Sequence, residues 1–179
     1  MANREAIREL QARLASRLQA ARDEGPSVSW LAVRSGGRCF LLPLPQSGEI
    51  FPLGSLQQVP YARPWFRGVV NLRGGLFGVV QLADFVAGDL PATERPAGAA
   101  AAADPVVVTL NPGLNVNCAL LVDALAGLRH ADAFASVQAP ADGAPAYFGS
   151  RFTDASGEAW QEIHLEKLAQ YPRFLNITA

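Results

Sequence analysis

Phe66-Arg-Gly-Val-Val-Asn-Leu72 and Leu76-Phe-Gly-Val-Val-Gln-Leu82 are short apolar runs on either side of Arg73-Gly74-Gly75. Paired valines and a phenylalanine in each run suit a pleated, half-buried strand, and the glycine-rich break suits a tight reversal. The pattern predicts a β-hairpin. Gly74 and Gly75 are expected to take the positive φ of the turn, with Arg73 at its tip. A guanidinium there has five donors projecting from rigid strands, which suits a carboxylate or carbonyl on another protein. A solvated arginine at a turn fits the spacing equally well.

Working outward, the same grammar repeats. Val28 to Val33 and Arg38 to Leu44 flank Ser35-Gly36-Gly37, a second predicted hairpin. Pro105 to Leu110 and Val116 to Val122 flank Asn111-Pro112-Gly113, and Ala146 to Phe152 and Glu158 to Ile163 flank Asp154-Ala-Ser-Gly157. Short helices are expected at Ala83 to Val86 and at Leu165 to Leu168, the latter cut off by Tyr171-Pro172. Some eight to ten short strands without long crossover helices describe an all-β barrel arrangement with short helices and exclude a dinucleotide-binding α/β fold.

Two stretches break the pattern. From Ala2 to Asp23 the residues Ile7, Leu10, Leu14 and Leu18 recur at three- and four-residue steps, one apolar stripe of a predicted helix ended by Gly25-Pro26. Packing on the protein's own body is the commoner use of such a stripe, and a surface for a partner helix is the other. From Asp89 to Asp104 prolines and alanines replace alternation, which predicts a surface loop. The expected organisation is a helical extension over 1–25 and a body over 26–179 made of two β-barrel subdomains, with their boundary near 89–105.

The chain has 179 residues, 50% hydrophobic and 17% charged, with 15 basic against 16 acidic side chains. That composition suits a compact fold and argues against disorder. A net charge of −1 lacks the basic excess of a nucleic-acid binder. No apolar run approaches the ~20 residues of a membrane span, and the N-terminal residues lack a signal-peptide core. A cytoplasmic location without membrane insertion is expected.

Groups for catalysis are scarce. Cys118, Asp123 and His130 suggest a thiol triad, but Cys118 lies inside an apolar run where an inert buried thiol is expected. His164 falls at a strand-to-helix junction, a capping or surface position. Gly74, Gly75 and Gly78 join two strands and lack the Lys-Ser/Thr of a phosphate loop. Cys39 and Cys118 match no metal spacing, and no zinc or calcium pattern is present. The expectation is a protein that is not an enzyme and holds no cofactor or metal. A small barrel binding nucleic acid or a peptide is the alternative, with Trp65, Phe66 and Phe77 as stacking candidates.

Pro60, Phe66, Gly68, Val69, Asn71, Leu72, Arg73, Gly74 and Leu82 stand in the order of a known motif. The segment resembles the CheW-like adaptor family of bacterial chemosensory systems, whose signature is Pro, an aromatic or aliphatic residue, Gly-Val-x-Asn-Leu-Arg-Gly, then an apolar strand. Gly48-Glu49-Ile50 resembles the family's Val-x-Glu-Ile element and Leu120 to Asp123 its Gly-Leu-Val-Asp strand, so the likeness runs from about Val28 to Leu168. Gln81 stands where the family usually has aspartate, which touches any hydrogen bonds expected beside Arg73, and Ser47 replaces a valine. The two ends of the chain look most like the twitching-motility, type IV pilus branch.

The resemblance implies two SH3-like barrel subdomains and a non-enzymatic scaffold that joins the cytoplasmic tip of a methyl-accepting chemoreceptor to a CheA-type histidine kinase at membrane-bound receptor arrays. On that reading Arg73 is the anchor, Asn71 and Gly74 hold the turn that presents it, Leu72 is a further protein-binding residue, and Glu49 and Ile50 are part of the surface that meets the kinase.

Overall fold

The computed structural model describes residues 29–91 and 104–179. The predicted N-terminal helix, its stripe, and Ala92 to Ala103 of the predicted loop lie outside the described residues. Eleven strands form two sheets. The first hairpin is β1 (Ser29–Ser35) and β2 (Arg38–Pro43); β3 is Ser47–Pro52. The arginine-tipped hairpin is β4 (Phe66–Leu72) and β5 (Gly75–Gln81), followed by α1 (Leu82–Gly88). Then come β6 (Val106–Leu110), β7 (Cys118–Val122), β8 (Ala124–His130), β9 (Phe134–Gln138), β10 (Phe148–Asp154) and β11 (Ala159–Ile163). Two short helices close the chain, α2 (Leu165–Ala169) and α3 (Pro172–Leu175).

Three of these strands, β3, β8 and β9, escape the reading by composition. β8 is Ala-Leu-Ala-Gly-Leu-Arg-His, without a β-branched residue, and β9 carries a single valine. The helix expected to be cut off at Tyr171-Pro172 does end before them, at Ala169, and Pro172 opens a further one, because proline's fixed φ suits a helix's first turn.

The six-stranded sheet has the order β8-β1-β2-β11-β10-β9, and the five-stranded sheet the order β3-β6-β7-β5-β4. Each is antiparallel except for one parallel pair, β2 with β11 and β5 with β7. The outer strands of the first sheet, β8 and β9, are joined by a single turn at 131–133. The second closes through Gln57, whose N–H and C=O each bond Val69 at 2.8 Å. The expected boundary segment near 89–105 lies between α1 and β6. The chain leaves the five-stranded sheet through α1, then returns to the same sheet as β6 and β7, while β1 and β2 pair with strands from the far end of the chain.

Side-chain alternation produces three cores from these two sheets. Trp30, Ala32, Cys39 and Leu41 point into the first barrel with Phe152 and Trp160. Val70, Leu72, Val79, Val107, Ala119 and Leu121 fill the second. The intervening residues of the same strands (Leu31, Val33, Phe40, Leu42; Val80, Val108, Leu120, Val122) meet in a central core with Leu82, Phe85, Leu165, Leu168 and Phe174 from the helices. Strands covered on both faces carry continuous apolar runs, and this is why Val106-Val-Val and Leu120-Leu-Val show no polar alternation. Deep burial of each large side chain contributes roughly 1.5–3 kcal/mol.

Polar links fix the barrels together. The buried Ser35 hydroxyl accepts from Gln81 Nε2 and the Ala83 N–H, both at 3.3 Å, and Asp123 Oδ2 accepts from the Gly36 N–H at 2.7 Å. A Cβ on Gly36 would lie 2.4 Å from the Ala83 side chain, so the first hairpin's tip docks only as glycine. Arg173 on α3 donates to Phe85 O at 2.9 Å and pairs with Asp89 at 2.7 Å; Asp89 also accepts from Tyr147 Oη at 2.8 Å. Burial raises the Tyr147 phenol's pKa, and its donation to Asp89 adds to the rise.

Candidate functional site

The β4–β5 turn spans Leu72 to Gly75, and its register pairs Leu72 with Gly75 and Asn71 with Leu76. Positive φ falls on Arg73 (48°) and Gly74 (84°). The expectation that Gly74 and Gly75 would share it is therefore corrected: Gly75 already belongs to β5, and the arginine itself occupies the left-handed region. Two successive positive φ values are what a two-residue reversal between right-twisted strands needs. Asn71 Oδ1 accepts from the Gly74 N–H at 2.9 Å and holds the bend from outside.

Arg73 does not stand alone in solvent. One guanidinium nitrogen lies 2.5 Å from Glu49 Oε2 on β3, and Cζ sits 5.4 Å from the centroid of the Phe51 ring. Both partners of the ion pair stay open, 72% exposed for the arginine side chain and 57% for the glutamate. Glu49 and Phe51 share one side of β3 because they are two residues apart. Thr109 on β6 sets that edge: its hydroxyl accepts from the Glu49 N–H at 2.8 Å and donates to Glu49 O at 3.1 Å. Gly48 permits the approach, since a Cβ there would meet Thr109 Oγ1 at 2.4 Å.

Beside the ion pair lies a hollow of about 300 Å³ whose lining includes Phe51, Phe77, Val116, Pro112, Asn117 and Thr109. An apolar floor with one cation and one anion on its rim has the composition of a small protein-binding hot spot. The structure thus brings Arg73, Asn71, Gly74 and Glu49 to one place. Ile50 is 42% exposed on the opposite side of β3 from Glu49. Leu72 is largely buried in the second barrel with Val70 and Val79, supports the tip from below and contributes to the lining of the hollow. Phe51 and Thr109 are site residues that sequence reasoning missed; the Glu-x-Phe spacing signals Phe51 once β3 is known to be a strand.

The remaining candidates are engaged elsewhere. Gln81, expected beside Arg73, is at the other end of β5 and reaches Ser35 instead. Ser47 is buried and donates to Pro43 O at 3.1 Å. Cys118 lies in the central core, where burial pushes its thiol up to about 12, while Asp123 serves Gly36 and His130 Nδ1 meets Ser29 Oγ at 2.9 Å. Burial likewise lifts Cys39 to about 11. His164 occupies the N-cap position of α2 without a side-chain cap. Trp65 is 4% exposed and packs edge-on against Phe66 and Phe85, so it offers no face for a base. Among the described residues no helix is long and apolar enough to cross a membrane.

The CheW-like domain family matches residues 29–173. Protein PilI of Pseudomonas aeruginosa is 28% identical over 169 residues, covering 92% of this chain and 88% of that protein. The crystal structure of the scaffolding protein TtCheW from Thermoanaerobacter tengcongensis superposes with a TM-score of 0.60 at 14% identity, over 76% of this chain and 88% of the other, a likeness of fold.

Proposed function

The chain belongs to the CheW-like domain family of non-enzymatic scaffolds, and from that premise we propose that it couples a methyl-accepting chemoreceptor to a CheA-type histidine kinase in the cytoplasm, in the system that controls type IV pilus twitching. The pilus assignment draws support from the likeness to PilI across 92% of the chain. The scaffold role draws support from a single observation. An arginine held at a strained φ of 48° on a rigid hairpin is left 72% exposed over an apolar hollow.

Arg73 grips the partner, and Asn71 and Gly74 set the turn that presents it. The hollow takes one apolar side chain of a partner helix, and the rim pairs its flanking charges: a carboxylate toward Arg73, a basic group toward Glu49. The kinase meets the surface around Glu49 and Ile50. Such an adaptor transfers no phosphoryl group; its effect is a coupling free energy between two bound partners, typically ~1–3 kcal/mol.

Co-purification of the tagged full chain from its own cells, with receptor and kinase followed by mass spectrometry, tests the reading. Wild type is expected to retain both, and Arg73→Ala to lose at least one while melting as a folded protein. Full retention of both by Arg73→Ala refutes the anchor role, and absence of both from the wild-type sample refutes the scaffold assignment.

A further inference from the structure

The face of the first sheet that enters the central core changes character halfway across. One row of paired residues runs Val33, Phe40, Gln161, Arg151, Gln138 over β1, β2, β11, β10 and β9. Paired residues share a side of the sheet. Val33 and Phe40 are buried in the central core, whereas Gln161 is half-buried and Arg151 and Gln138 are exposed. Phe152, next along β10, turns into the first barrel and leaves Arg151 on the outer side. Two hollows meet on this polar half. One of about 330 Å³ reaches to Gly37 and Arg38, and the other, of about 300 Å³, reaches to the loop from Ala139 to Pro145. Leu90, Phe148, Arg151 and Gln161 line both.

Charge decides what this trough can take. Arg151 has no ion-pair partner among the described residues. Glu158 in the first hollow is held by both arms of Arg34 at 2.7 Å, and Asp89 in the second by Arg173 at 2.7 Å and Tyr147 at 2.8 Å. Asp142, exposed on the loop, is the acid left at the far end. We propose that the trough binds an extended segment of another protein that carries an acidic, then an apolar, then a basic residue. The acidic one forks with Arg151, the apolar one rests on Leu90 and Phe148, and the basic one lies toward Asp142. The length agrees. From β2 to β9 the trough crosses three strand spacings, about 14 Å, the reach of about four extended residues. Gln161 Nε2 already donates to Gly149 O at 2.9 Å and Glu162 O at 3.0 Å, which leaves its Oε1 to accept a peptide N–H. A free inorganic anion would use the guanidinium and neither the apolar wall nor the length.

The test titrates the isotope-labelled full chain with a synthetic hexapeptide, two glutamates, then leucine and valine, then two lysines, and follows the backbone amides by NMR. Saturable shifts are expected at Gly149, Arg151 and Gln161. Affinity should fall about tenfold or more in Arg151→Glu, and equally when glutamines replace the peptide's glutamates. Arg151 is exposed, so its replacement leaves the fold intact; Arg151→Gln repeats the measurement without the reversed charge. Arg73→Ala, at the tip of the other barrel, should bind the peptide as wild type does. Absence of shifts at these amides overturns the proposal, as does equal binding by Arg151→Glu or by the glutamine peptide. The same shifts from sodium acetate or phosphate at the peptide's concentration mean a site for free anions only and overturn it too. So does binding that Arg73→Ala abolishes, which assigns the peptide to the β4–β5 tip.

Discussion

Replacing Arg73 by glycine and by alanine separates what the backbone costs from what the guanidinium contributes. An L-residue in the left-handed region is disfavoured by about 1–2 kcal/mol, and Arg73 bears this at a φ of 48°. Against it stand an exposed ion pair with Glu49, worth up to about 1 kcal/mol, and the contact over the Phe51 ring, about 0.5–1 kcal/mol. The two sides nearly cancel. Arg73→Ala keeps the strain and loses both contacts, so it should lower stability by about 1–1.5 kcal/mol. Arg73→Gly relieves the strain as it loses them and should lie about 1 kcal/mol above the alanine variant, or about 2–4 °C in melting temperature for a chain of this size. Urea and thermal denaturation read the difference, and co-purification reads function: both variants should lose the partner equally. Equal stability of the two variants would refute the argument that position 73 is strained. Partner binding by Arg73→Gly at the wild-type level would show that the arginine is held there for some other reason.

Two further outcomes follow from particular contacts. Gly68→Ala should cost about 3 kcal/mol or more, because φ is +131° and a Cβ would lie 2.2 Å from Gln57 O at the bond that closes the second barrel. Gly74→Ala, at φ +84° with nothing within 4 Å of its Cβ, should cost only about 1–2 kcal/mol; a thermal melt of the pair decides, and equal losses would deny the closure its role. In the β10–β11 turn, hydrogen bonds from Ser156 and from Trp160 Nε1 hold the Asp154 carboxyl down at about 2. A depressed folded-state value means its stabilisation is complete above about pH 4 and disappears as pH falls toward 2. Acid denaturation of Asp154→Asn should therefore show a shallower loss across that window than wild type.

The fold was legible where local chemistry and tertiary placement agree. Both glycine-turned hairpins and the strands β6, β7, β10 and β11 follow from short β-branched or aromatic runs between turn residues. Strands β8 and β9 were not legible, because their alanines, glycine and polar residues are held as strands by pairing with β1 and β10 and not by propensity. At the site, Arg73, Asn71 and Gly74 lie within four residues and follow from the turn alone. Their union with Glu49 and Phe51 depends on the second barrel's closing β3 round toward β4, a relation across some two dozen residues that no local spacing encodes. Gln81 was misplaced for the converse reason: eight residues from Arg73 in sequence, it stands at the far end of an extended strand.

The two hairpin tips bear on the function together. Each reverses through two positive-φ positions, Gly36 and Gly37 in one and Arg73 and Gly74 in the other. The first is filled by the protein itself: Asp123 accepts from its Gly36 N–H, and Ala83 packs where a side chain on Gly36 would stand. It locks one barrel to the other. At the second, Asn71 takes the turn's Gly74 N–H, so the bend needs nothing from outside, and the donors left at the tip belong to Arg73. An exposed ion pair to Glu49 satisfies them only in part, since a guanidinium has five donors and one carboxylate takes at most two of them in a fork. A partner carboxylate can therefore add to the pair without first breaking it. The same geometry that links the two barrels at one tip thus leaves the other as a preorganised cation, which is what the proposed adaptor role asks of it.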